Sequence, residues 1–239
     1  MEYTNDEREV GFETYRHIWH VQRMLAVCIE GLFTDLGTGE QVDLVDLLSS
    51  VCTITRPGHL ERLWPTQDPQ LLKVITNTYN LFGDTPQHLQ KERENFVVNT
   101  LVRRMITHDQ SKLGEVEVKL FTEYTPRLGK VKFGSDEYKV FLKGLKPALE
   151  NHYAKNRHHP EFYKDGIFGM TLIDVIEMVC DWTASSLRTA DGSFENSLQI
   201  CKHRFELSSS MAKLMQATYD NYLAPIYNLQ PADYEQQTI

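Results

Sequence analysis

Apolar residues recur at three- and four-residue steps along most of this chain, and no convincing run of strand-like alternation interrupts them. In residues 13–32 the set Ile18, Val21, Met24, Leu25, Cys28, Ile29 and Leu32 falls on one face of an amphipathic helix, with Gly37 and Gly39 placed to end it. Residues 43–51 read as a short second helix, closed by Arg56-Pro57-Gly58, and 71–82 as a third. Asp84-Thr85-Pro86 sets a capping residue before a first-turn proline and opens a helix over 86–108, with Leu89, Phe96, Val97, Leu101 and Met105 inward. Helices over 115–124 and 135–153 follow; Ser135 caps the latter ahead of two acids that suit a helix N-terminus. Residues 156–169 form a loop rich in His, Pro and Gly. Thr171 and Asp174 stand in capping-box spacing at the head of a helix over 171–187. Asp191-Gly192-Ser193 turns the chain into a helix that reaches 205, and 208–222 is the last. The pattern predicts an all-α fold, a helical bundle.

Composition narrows the function classes. With 25 basic and 33 acidic residues, net charge −8 and no basic block, the chain lacks the positive field that long nucleic acid requires. It contains no apolar run of about 18 residues that would span a membrane. Its first residues are acidic and polar, unlike a signal peptide. Cys28, Cys52, Cys180 and Cys201 are widely spaced, which reads as four reduced structural thiols and a cytoplasmic location. Nine histidines against four cysteines tilt the picture toward site chemistry.

Three segments could carry that chemistry. His108-Asp109-Gln110-Ser111-Lys112 puts an imidazole beside a carboxylate, a donor pair that suits a borderline divalent cation. His152, Asn156, His158, His159 and Glu161 crowd ligand-type side chains into ten residues whose loop lets them converge. Asp174, Glu177 and Asp181 share one helix face, where a cation would relieve their repulsion; a solvated acidic stripe or an ion-pair ladder with Arg188 is the plainer alternative. His17, His20, His59 and His203 need no function by themselves. A short echo, Thr14-x-x-His17-Ile18 and Thr85-x-x-His88-Leu89, heads the two long helices.

The order of HD-x-S-K, HH-x-E and an Asp in D-x-x-E-M-x-x-D-W resembles the HD-domain metal-dependent phosphohydrolase superfamily, nearest to its cyclic-dinucleotide phosphodiesterase branch. More closely, the chain is similar to a family of small uncharacterised bacterial and phage proteins. The matching motifs are Asp84-Thr85 with His88, His108 to Lys112, Phe133-Gly134-Ser135 with Glu137-Tyr138, His152 to Glu161, Met170 to Trp182, and Asp191-Gly192 with Ser197. The resemblance implies an HD-like helical domain over 84–224 with an N-terminal helical extension over 1–83 outside it; the tail over 225–239 lacks a periodic pattern and reads as loosely held. The resemblance also implies one or two divalent cations (Mn, Mg, Fe or Zn). His108, Asp109 and Asp181 would bind the first; His152, His158 and His159 would bind a second, or the substrate. Lys112, Asp109 and Glu161 form the implied catalytic set, with Asn156, Asp174 and Glu177 in support.

Such sites take a further histidine from a separate helix. His88 matches by motif but stands 20 residues before His108, about 30 Å along an unbroken helix. Either that helix breaks near Asn99-Thr100, or His17 or His20 completes the site. Ser-Lys stands where the superfamily has Gly-Lys, and the Asp181 motif differs from D-x-x-D-A-L. The expected function is hydrolysis of a small phosphate ester, a nucleotide foremost. The alternatives are a di-iron oxygenase and a non-catalytic helical interaction protein with a degenerate metal site, whose residues 13–32 offer a surface for self-association.

Overall fold

Helices joined by turns make up everything described in the computed structural model, which covers residues 5–34, 41–53, 68–82, 90–128, 130–131, 135–187 and 192–227; among these no strand occurs. The helices are α1 (Asn5–Thr34), α2 (Leu44–Thr53), α3 (Pro69–Leu81), α4 (Gln90–Thr107), α5 (Glu115–Leu128), α6 (Asp136–Lys155), α7 (Leu172–Ser186), α8 (Phe194–Arg204) and α9 (Ser209–Thr218). A π-helical turn, Tyr219–Leu223, then leads into the short α10 (Ala224–Tyr227). The all-α expectation is met.

Side chains fix where these helices begin. Asp68 accepts from the Gln70 and Leu71 amides at 3.0 and 3.1 Å, with Pro69 in the first turn of α3. Thr171 and Asp174 close the expected capping box of α7, each taking the other's backbone N–H. Ser193 and Ser208 cap α8 and α9 through the amides of Asn196 and Met211.

Every residue of α7 except Ser185 is buried, which makes it the central rod of the bundle. Helix α1 packs along it and also against α2, α4 and α5; α5 and α6 pack on one another. Val21, Met24, Leu25 and Cys28 of α1 share one apolar core with Leu47 and Leu48 of α2, Leu101 of α4, Ile176 of α7 and Met215 of α9. Gly31 permits a close approach in this packing, since a Cβ there would sit 2.5 Å from the Tyr222 ring. The outer face of α1 exposes Phe12, Tyr15 and Trp19, with Arg23 stacked on Trp19. No described helix is long and apolar enough to cross a membrane.

Several expectations meet a different outcome. Helix α4 runs unbroken through Asn99 and Thr100, so the break that would bring its start toward His108 does not occur. Asp84, Thr85, Pro86 and His88 themselves lie outside the described residues, as do Gly37, Gly39, His59, Phe133, Gly134, Arg188 and Asp191. The 156–169 loop contains two 3-10 turns, Pro160–Phe162 and Gly166–Gly169. Asp174, Glu177 and Asp181 do share one helix, but burial makes them no solvated stripe. Buried carboxylates need partners, and those partners define the site.

Candidate metal centre

At the end of α4 the chain leaves the helix at Thr107, and Asp109 adopts the left-handed conformation at φ 53°. Aspartate tolerates that region better than most residues. The turn is closed by the Lys112 amide donating to the Asp109 carbonyl at 2.9 Å, while Lys112 Nζ reaches Asp109 Oδ2 at 2.5 Å. His108 and Asp109 are thereby both turned into the core. His152 stands in the last turn of α6. The Asn156 amide, donating to the His152 carbonyl and to Ser111 Oγ at 2.7 Å each, ties that turn to the one after Asp109. His158 and His159 follow at the start of the first 3-10 turn.

Asp109 is the pivot of the arrangement. Its Oδ2 faces Nε2 of His17 at 3.3 Å and of His108 at 3.5 Å. Its Oδ1 faces Nε2 of His152 at 3.3 Å and of His158 at 3.5 Å. Asp181 Oδ1 lies 2.9 Å from His17 Nε2 and 3.7 Å from His108 Nε2, and the His152 and His159 Nε2 atoms approach to 2.9 Å. Two sets of four potential ligands result, each offering one atom per residue within 4.8 Å of the others. One is His17, His108, Asp109 and Asp181; the other is Asp109, His152, His158 and His159.

A second layer orients the imidazoles. His108 Nδ1 and His158 Nδ1 both lie against Glu177 Oε1, at 2.9 and 3.1 Å, and His152 Nδ1 against Glu117 Oε2 at 2.9 Å. Ionised carboxylates can only accept, so each Nδ1 donates to its glutamate, and each Nε2 is left facing inward. Glu117 is held in turn by Ser111 and Asn151. Arg104 joins Asp174 to Glu177, at 3.2 Å from the latter, and Arg157 approaches Asp174 at 3.3 Å. The cation expected between these two stacked carboxylates is therefore a guanidinium.

Neighbouring opposite charges work against burial inside the centre. Burial disfavours a charged His108, but Asp109, Asp181 and Glu177 together outweigh it and raise its pKa to about 10. Burial likewise works against an ionised Glu177, yet hydrogen bonds from His108 and His158 bring it down to about 2. Asp109 and Asp181 are held well below the usual carboxylate range against burial, Asp109 chiefly by Lys112 and His108, Asp181 chiefly by the neighbouring His108 and His17. Burial and the neighbouring His158 lower His159 to about 2, so it stays neutral, as a ligand must. Even so, His108 Nε2, His158 Nε2 and Asp109 Oδ1 are buried without a hydrogen bond. Each such atom costs about 1–3 kcal/mol, and all three lie where the two sets converge. Imidazole nitrogens with carboxylate oxygens are a donor set that fits Zn, Fe or Mn.

Most of the residues singled out in the sequence meet here: His108, Asp109, His152, His158, His159 and Asp181 as potential ligands, Glu177 and Asn156 in support, Lys112 at the edge. Glu161 belongs to neither set and pairs with Arg204 at 2.5 Å. His20 also lies in neither; burial, then Arg16 and Arg23, lower its pKa to about 4. His203 is exposed. The histidine left open in the sequence is His17, while His88 and His59 are outside the described residues. His17 stands four residues before Val21 and seven before Met24, a polar intruder in the buried stripe of α1. Glu117, Arg104 and Arg157 carried no comparable signal.

Residues 72–228 match the family of unknown function DUF5662. No curated protein and no solved structure matches the chain.

Proposed function

The chain belongs to DUF5662, a family that comes without an activity, and from its paired histidine–carboxylate sets we propose a metal-dependent phosphohydrolase of the HD type, acting on a small phosphate ester with a nucleotide foremost. The observation that carries this reading is Asp109, whose two carboxylate oxygens each face a separate pair of imidazole Nε2 atoms. A carboxylate so placed suits two neighbouring cations. His17, His108 and Asp181 would complete one ligand set, and His152, His158 and His159 the other.

Divalent cations there would supply Lewis acidity toward a phosphoryl oxygen and a water made acidic near neutral pH. The chain's own residues do the rest. Glu177 and Glu117 hold three imidazoles with their Nε2 atoms inward. Lys112, with its side chain 15% exposed, stands at the edge of the centre and can neutralise a phosphate oxygen. Asp109, shared by both sets, keeps the two halves at a fixed spacing. The acidic composition of the chain supports a small anion drawn to cations over a long polyanion.

The test is elemental analysis of purified protein before and after chelation, followed by hydrolysis of a nucleotide panel with Mn²⁺ or Mg²⁺. Bound metal, activity restored by the cation, and loss of both in His108→Ala are expected. Absence of hydrolysis by every loaded form would overturn the reading. The imidazole-rich second set, three histidines to one carboxylate, is also compatible with iron and with it an oxidative activity. Iron as the metal of the purified protein, with no hydrolysis, would select that alternative. Melting indifferent to chelation, with no metal found, would select a non-catalytic helical protein.

A further inference from the structure

A groove of about 630 Å³ lies beside the centre, between the two 3-10 turns and the α8–α9 junction, and the histidine–carboxylate chemistry makes no use of it. One lip carries Tyr163 and Phe168, the other Arg204, Phe205 and Glu206, and the N-terminus of α3 forms its spine. Two amides of α3 pin these lips. Asn77 Nδ2 donates to the carbonyls of Phe168 and Met170 at 2.8 and 2.9 Å. Gln70, which is buried, donates to the Glu206 carbonyl at 3.2 Å and accepts from the Ser208 amide at 2.8 Å. Each lip contains a left-handed residue, Gly166 at φ 55° and Glu206 at φ 51°. For glutamate that conformation is strained, and it persists where surrounding contacts enforce it. The groove is thus preformed.

It also shares a wall with the centre. Pro160 and Glu161 directly follow His159. Arg204 links Glu161 to the Tyr153 hydroxyl, at 2.5 and 3.4 Å, and the Tyr153 ring lies 4.9 Å from that of His159. Phe205 stacks on Trp182, the neighbour of Asp181, at 9° and 6.0 Å between centroids. His159 and Asp181, the two least buried potential ligands, each stand next in sequence to a residue of this shared wall, Pro160 and Trp182.

The lining describes an occupant. Phe168 is 41% exposed, and Arg204 lies over the Phe205 ring at 4.8 Å, so flat surfaces are available for stacking. Asp68, Glu161, Asp165 and Glu206 outnumber Lys164 and Arg204, which suits groups that donate hydrogen bonds and repels a phosphate. The volume falls within the range of about 300–1,000 Å³ for small-molecule sites.

We propose that this groove holds the uncharged, ring-bearing half of the substrate, a nucleobase with its sugar, while the phosphate end lies at the histidine–carboxylate centre. The proposal rests on the phosphohydrolase reading. Phe168→Ala tests it, because that side chain points outward and its removal spares the core. Two measurements apply to the Mn²⁺-loaded protein: calorimetric binding of adenosine 5′-monophosphate, and kcat/KM for that ester against ringless glycerol 2-phosphate. In the variant Kd should rise about tenfold, and the preference for the nucleotide should fall by a similar factor. An unchanged Kd, no binding by the unaltered protein, or an equal loss with both esters would overturn the groove assignment. Nucleotide binding that Phe168→Ala weakens, with neither ester hydrolysed, would uphold the groove and overturn the phosphohydrolase reading. Hydrolysis of both esters without preference would do the reverse.

Discussion

His17 Nε2 lies 2.9 Å from Asp181 Oδ1, across 164 residues of chain. Helix α1 therefore does more than cover the bundle: it delivers a potential ligand to a set otherwise assembled from α7 and the end of α4. His17→Ala is expected to lower bound metal from two equivalents per chain toward one while the helical content is retained. Elemental analysis alongside circular dichroism checks this. Two equivalents retained in the variant would remove His17 from the set.

Glu177 orients two imidazoles at once, through Nδ1 of His108 and His158. Glu177→Gln keeps the shape but can present an N–H where an acceptor is needed. Loss of such a partner costs about 10–100-fold in metal affinity. Competition with a fluorescent chelator would measure it, and an unchanged affinity would show that the glutamate serves folding alone.

Arg104 and Arg157 both reach Asp174, but their side chains are 16% and 42% exposed. Arg104→Ala leaves Asp174 and Glu177 buried with less compensation, which costs about 3–5 kcal/mol. Arg157→Ala removes a solvent-screened partner and should cost under about 1 kcal/mol. Urea denaturation of the two variants should separate them clearly; equal losses would contradict the burial argument.

Asp68 gives an acid-sensitive element away from the candidate metal centre. Burial opposes its ionisation, but hydrogen bonds from Ser208, Leu71, Ser210 and Gln70 outweigh it and depress its pKa below 3.8. Its contribution is therefore present above the unfolded value and lost as pH falls through the lower folded one. Asp68→Ala should cost about 1 kcal/mol near neutral pH, and less as the solution is acidified below about pH 4. Thermal melts from pH 3 to 7 would show the two curves converging at the acid end.

The helices were legible from apolar spacing, and at α7 and α8 also from signals at their ends, Thr171 with Asp174 and Ser193; the caps Asp68 and Ser208 came to light only in the fold. Much of the centre was legible as well, since His108-Asp109 and His158-His159 are neighbours in sequence as well as in space. What escaped was long-range. Arg104 and Glu117 find their partners across the fold, and no pattern in α4 or α5 distinguishes them from surface charges. The motif favoured His88 for the open place, whereas packing of α1 along α7 brings in His17. Burial decided the acidic face of α7, because three carboxylates at helical spacing look alike whether they meet water or an arginine.

Asp174 closes the capping box of α7 and, three residues on, Glu177 holds His108 and His158; Arg104 ties the two acids together. The start of the central helix and the aim of two imidazoles are thus set by one phase angle. A single residue inserted between them would swing Glu177 by about 100°, and no local repacking could restore both the cap and the centre. In that stretch, tolerance to insertion should vanish while tolerance to apolar exchange persists.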